Sequence, residues 1–225
     1  IALAMPGSPV VDSGSVQVNS LVPMSFKNLG SIATGGNVVV NGNGTATGTG
    51  DTLEMVGTEF DDEVMVNAGI VNINDSIFVT YNTDVNTLAL LGGDPSGSDV
   101  ADVSGSAIPF VVTAGGSDES ATVTGGGLIA DVVVLEGVEV LNLHAGGGNV
   151  TVNATATDDS AVVTPMSAAS AQIQVNGVSP VINADGMFGT AVLTVNLLDG
   201  SDILIVNGTQ GVDAIAVTPT TVTVG

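Results

Sequence analysis

The chain has 225 residues, 44% of them hydrophobic and only 3% aromatic, with no Trp, no Cys and 31 Gly. Its 23 acids face one base, Lys27, for a formal charge of −22, which excludes the cationic surface that nucleic acid or an anionic membrane demands. No apolar run approaches the roughly 20 residues that span a bilayer, and without cysteine no disulfide speaks for a compartment. A core made from this composition consists of Val, Ile, Leu and Ala in thin layers, punctuated by Gly, Asn and Asp turns, and little in it favours helix.

Residues 1–20 give a short apolar start, a Pro/Gly turn and an alternating strand at Val16–Val18. The chain opens at Ile1 with neither Met nor a basic leader, so it is expected to be an internal or processed piece of something longer. A strand at Val38–Val40 follows, then an Asn-Gly turn and a Gly/Thr-rich loop at 42–50 that looks like an insertion. From Thr58 the spacing is regular, with strands expected at Val64–Val66, Ile70–Ile73, Ile77–Tyr81, Leu88–Leu91 and Val100–Val103. Further on, Val192–Leu198 and Ile203–Val206 are two apolar runs joined by Asp199-Gly200-Ser201-Asp202. The tail from Gly211 to Gly225 begins another such pattern, with an alternating run at Val222–Val224.

The pattern repeats. Leu88, Leu141 and Leu193 lie at steps of 53 and 52 residues, Asn149 and Asp202 at 53, Asp159 and Asp213 at 54. Residues 1–57 are thus a degenerate first repeat carrying the insertion, and 58–225 hold about three further repeats of roughly 52 residues, the last incomplete. Short strands with turn residues at about ten-residue intervals make the fold all-β. A β-solenoid of the parallel β-helix kind suits a core with few rings, two coils of about 26 residues making one repeat. Tandem β-sandwich domains are the alternative. The Val-Asn-Gly corners at 40–42, 175–177 and 206–208 would let Asn side chains stack along the axis.

The segments GTEFDDEVMV, VNINDSIFVTY and VNTLALLGGDPSGSD resemble the tandem repeats of very large secreted or surface proteins of bacteria, of the planctomycete type. Asp199-Gly-Ser-Asp202 and Gly92-Gly-Asp94 with Ser98-Asp99 distantly resemble the calcium-binding glycine-aspartate turns of RTX proteins, without their back-to-back nine-residue repeats. The resemblance implies a secreted or cell-surface location and calcium in the acidic turns. The residues it nominates as ligands are Asp61, Asp62, Asp94, Asp99, Asp118, Asp158, Asp159, Asp199, Asp202 and Asp213. Calcium takes six to eight oxygens, whereas Asp and Gly also shape turns with no ion.

Catalytic residue types are scarce: no Cys or Arg, with one His, one Lys and one Tyr. His144 ends a strand beside three glycines and has no second His to share a metal; a surface histidine is the plain reading, and no enzyme is expected. Asn43, Asn74, Asn149, Asn153 and Asn207 stand in Asn-X-Ser/Thr sequons, acceptor sites in a secreted chain. The function expected is a structural extracellular repeat protein that joins copies of itself, or adjacent repeats, end to end into a surface fibre, stalk or cell-envelope layer. The alternative is a calcium-rigidified adhesin segment that binds a surface or glycan ligand.

Overall fold

The structure, a computed structural model, describes residues 2–4, 14–19, 21–26, 37–42, 50–74, 78–93, 98–117, 119–177, 180–209, 215–217 and 222–224. Among them there are twenty-two strands and no helix, as the alternating apolar runs require. In Val140–His144 the side chains of Leu141 and Leu143 are fully buried, while Val140, Asn142 and His144 lie on the outer side. That period of two is the signature of a strand with one face on a core.

The strands fall into units of five. The first comprises β1 (Ala2–Ala4), β2 (Gly14–Gln17), β3 (Met24–Phe26), β4 (Asn37–Val40) and β5 (Asp51–Val56). The second runs β6 (Glu63–Asn67), β7 (Ile70–Ile73), β8 (Phe78–Tyr81), β9 (Val85–Leu91) and β10 (Val100–Ser104). The third is β11 (Phe110–Ala114), β12 (Ser120–Gly125), β13 (Val132–Glu136), β14 (Val140–His144) and β15 (Val150–Asn153). The fourth is β16 (Ser160–Ser167), β17 (Ser170–Val175), β18 (Val181–Asp185), β19 (Leu193–Asn196) and β20 (Ile203–Val206). A separate hairpin, β21 (Ile215–Val217) with β22 (Val222–Val224), follows.

In every unit the first three strands form an antiparallel triplet in one sheet, the fourth crosses to the other sheet, and the fifth returns to lie parallel beside the first. Successive units exchange sheets. The triplets of the first and third units lie in one ten-stranded sheet, those of the second and fourth in the other. One joint connects each unit to the next. The fourth strand of a unit pairs in parallel with the third of its successor, as in β4 with β8, β9 with β13 and β14 with β18. The fifth pairs in parallel with the successor's fourth, as in β5 with β9, β10 with β14 and β15 with β19.

Leu88, Leu141 and Leu193 therefore occupy the fourth strand of successive units, β9, β14 and β19, and lie alternately in the two sheets. Coils of 26 residues are not what stacks. Strand neighbours lie 35 residues apart at Leu53–Leu88, 45 at Leu88–Val133, and 40 or 41 at Ala101–Leu141 and Leu141–Ile182. The excess is the triplet, which stays in its sheet through tight reversals. Ala68-Gly69 makes one of these with both φ angles positive (34° and 83°), the backbone of a two-residue hairpin turn.

Both sheets close on one core of small aliphatics, including Leu53, Leu88, Leu90 and Leu135 from one and Val66, Leu141, Leu143 and Ile182 from the other. Each fully buried side chain of this size contributes about 1.5–3 kcal/mol. Among the described residues one aromatic ring, Phe110, is fully buried, and two glycines make room for it: a Cβ on Gly126 would stand 2.0 Å from the ring and one on Gly105 2.4 Å. The large apolar side chains that stay exposed concentrate where the sheets stop. Leu21, Val22, Met24 and Val39 lie at one end and Val192, Leu198, Ile203, Leu204 and Ile205 at the other.

Candidate functional site

The acidic turns form two copies of one hydrogen-bonded corner, each at the entry to a triplet of the second sheet. In the first, Asp62 is 2% exposed. Its Oδ2 accepts the Thr58 N–H at 2.5 Å and its Oδ1 the side-chain amide of Asn74. Asn74, held at φ 53°, turns its own Oδ1 to the Glu63 N–H at 2.8 Å. In the second, Asp159 is 3% exposed. It accepts the N–H and hydroxyl of Thr155 at 3.0 and 2.9 Å and the amide of Asn176. Asn176, at φ 56°, accepts the Ser160 N–H at 2.7 Å. A buried carboxylate needs donors on its oxygens, and the loop before each triplet supplies them.

The corners are also stapled to the following layer. Asp62 donates its N–H to Asp99 Oδ1 at 2.7 Å, and Asp99 donates its own to Glu139 Oε2 at 2.5 Å. The Ser98 N–H reaches Asp61 Oδ1 at 3.1 Å. In the other corner Asp159 N–H donates to Asp202 Oδ1 at 3.0 Å and Ser201 N–H to Asp158 Oδ1 at 2.8 Å. These contacts span 37 and 40 residues in the first corner and 43 in the second. The signal was present in the sequence as Asp61-Asp62 followed by Ser98-Asp99, and Asp158-Asp159 followed by Ser201-Asp202, each with a Thr four residues before its second Asp and an Asn after the first hairpin strands.

Asp61, Asp62, Asp99, Asp158, Asp159 and Asp202 thus each accept a backbone N–H. Asp199 is exposed, and Asp94, Asp118 and Asp213 lie outside the described residues. In this geometry the six acids terminate backbone; among the described residues no group of three or more His, Asp or Glu is placed to hold a metal ion.

Beside Asp62 and Asp99 runs a column of glycines. Gly57 N–H bonds the Leu91 carbonyl at 2.8 Å and Gly92 N–H the Glu136 carbonyl at 2.9 Å. The backbones approach so closely that a Cβ on Gly92 would stand 1.8 Å from the Gly137 carbonyl oxygen.

The expected stacking of asparagines occurs on strands, not at the Val-Asn-Gly corners. Asn183 donates to Asn142 at 2.9 Å, and Asn196 to Asn153 at 3.2 Å; the corner residue Asn176 instead holds Asp159. The sequon residues share this work. The amide of Asn74 donates to Asp62 and that of Asn207 to Thr164 at 2.8 Å, Asn149 accepts the Val192 N–H at 2.9 Å, and Asn153 accepts from Asn196. Asn43 lies outside the described residues.

His144 lies on the outer face of the second sheet between two acids. Its Nδ1 is 2.9 Å from Asp185 Oδ1 and its Nε2 3.5 Å from Asp102 Oδ1. Partial burial pulls its pKa down, but the hydrogen bond and charge of Asp185, and then of Asp102, outweigh it, so the value is raised. A raised value means that the folded state favours the imidazolium. Its stabilisation is complete below the unfolded value of about 6.5 and is lost as pH rises through the folded value. An exposed pair of this kind contributes about 0.2–1 kcal/mol. The expected result is that the melting temperature falls more between pH 5.5 and 8 for the natural chain than for His144→Gln; parallel curves would remove the imidazolium from the account.

No helix of the described residues is long and apolar enough to cross a membrane. Compared with known proteins, the chain matches no protein family, no curated protein and no solved structure.

Proposed function

We propose that this chain is a structural extracellular repeat protein, a two-sheeted β-solenoid whose five-strand units stack along one axis and continue end to end into a surface fibre, stalk or envelope layer. The observation that carries this reading is the joint between units, made three times within the chain with the same strand positions and the same parallel sense. A joint that repeats by the same half-turn and advance from each unit to the next is the means by which repeat arrays grow. The chemistry agrees with a scaffold: the buried acids hold backbone, and trypsin has one basic residue to attack.

The high negative charge keeps the sides of such rods apart, because like-charged faces repel over about a Debye length. The test is light scattering with negative-stain imaging of the full chain over a concentration series at about 0.15 M salt. Rods that lengthen with concentration are the expected result. A monodisperse particle of one chain at every concentration overturns the reading.

A further inference from the structure

We infer that the joint between copies is the internal joint made once more, with β19 of one chain pairing in parallel with β3 of a second copy and β20 pairing with β4. This rests on the assembly reading above and adds the surface and the register.

The argument is topological. Three joints inside the chain set the rule that a unit's fourth and fifth strands receive the third and fourth strands of its successor. At one end of the two sheets the last strands are β19 and β20, a fourth and a fifth. At the other end they are β3 and β4, a third and a fourth. The two ends are therefore the two halves of a joint. They also match in sheet, since β19 and β3 close the same sheet and β20 and β4 close the other. That agreement follows from the sheet exchange between units: after four units the alternation has returned to phase.

The side chains agree. Leu204 stands beside buried Ala161 in the ladder, yet is 39% exposed because no further strand covers it. Val38 and Val40 face the core from β4, and in the fifth-to-fourth ladders one core-facing residue stands opposite another, as Ala101 does with Leu141. The same rule places Ile203, Leu204, Ile205 and Val206 opposite Asn37, Val38, Val39 and Val40. Both strands are four residues long. On the companion edge Met24 lies in one column with Val16 and Leu3, opposite core residue Met55, so it receives Leu193. Nine of the fourteen large apolar side chains exposed among the described residues lie at these two ends. Among the described residues no strand pairs with the outer edge of β19, β20, β3 or β4, and a second copy is the occupant this joint assigns to them. The contact is heterologous and open, so it propagates rather than closes.

The test uses two full-length variants, Leu204→Lys at one end and Met24→Lys at the other, each altering an exposed side chain and each checked for an unchanged β spectrum and melting temperature. Neither variant alone should grow. Mixed in equal amounts they should form a complex of two chains and stop, doubling the 22.0 kDa mass, since each supplies one intact end. Because the chain has no cysteine, Ile205→Cys with Val39→Cys reads the register directly: oxidation should link copies into a ladder, while Ile203→Cys with Val39→Cys should not. Rods formed by both lysine variants as readily as by the natural chain would overturn this joint and leave the assembly reading standing. A natural chain that stays a single-chain particle, with residues after 206 folded over β19 and β20, would overturn both.

Discussion

Replacing Gly92 by Ala should lower the melting temperature by about 6–12 °C. The added Cβ would stand 1.8 Å from the Gly137 carbonyl oxygen and 2.2 Å from Asp99 Oδ2, separations that force one of them to move. The carbonyl belongs to a turn fixed by the bond from Gly92 N–H to Glu136, and Asp99 is 1% exposed with Oδ1 already accepting from Asp62. Neither can yield without breaking the staple between layers. Overpacking of this severity costs about 3 kcal/mol or more, and each kcal/mol corresponds to about 2–4 °C in a chain of this size. Gly116→Ala is the control: its Cβ would meet nothing within 4 Å, and melting should be unaltered. Equal melting of the two variants would show that the column is not tightly packed.

Asp62→Ala should cost about 3 kcal/mol or more, because it strands donors rather than merely removing one bond. The Thr58 N–H loses its acceptor, and the Asn74 amide loses the partner that holds a left-handed backbone at φ 53°. Asp62→Asn should do almost as badly, since an amide presents its own N–H to one of two donors. Asp159→Ala should have the same effect through Thr155 and Asn176. The two corners lie on β6 and β16, five steps apart in one sheet, or about 24 Å at the usual strand spacing, so the double variant should show the sum. Asp61→Ala, which removes one exposed contact at 3.1 Å, should cost under about 1 kcal/mol. Chemical denaturation of the five variants checks all of this, and an Asp62→Ala chain as stable as Asp61→Ala would show that the buried carboxylate does not hold the corner.

Strand existence was legible because strands such as Val140–His144 and Val100–Ser104 alternate between a buried aliphatic face and an outer one. Ile70–Ile73 and Ile203–Val206 have the same bounds in sequence and structure. The repetition of Leu88, Leu141 and Leu193 was legible too, as the fourth strand of each unit. The partners of each strand were not. A hairpin and a crossover leave similar stretches of Gly, Asn and Asp between similar strands, and Ala68-Gly69 lacks the Asn or Asp that marks a tight reversal. The acids were ambiguous for a related reason. The oxygens that could surround a cation are those that accept an N–H, and the donors to Asp61 and Asp99 lie 37 residues away in sequence, where only the fold brings them.

The exchange of sheets between units has a mechanical meaning. Each unit contributes four strands to one sheet and one to the other, an advance of about 19 Å on one side against about 5 Å on the other. Units that all favoured one side would curl the array into a tight arc, as a bimetal strip bends when one layer lengthens more. Because the longer contribution changes sides each time, the imbalance cancels over two units, and both faces advance by about 24 Å. The smallest increment that lengthens both faces equally is therefore a pair of units, and because every joint changes sides the difference between the faces never exceeds that of a single unit.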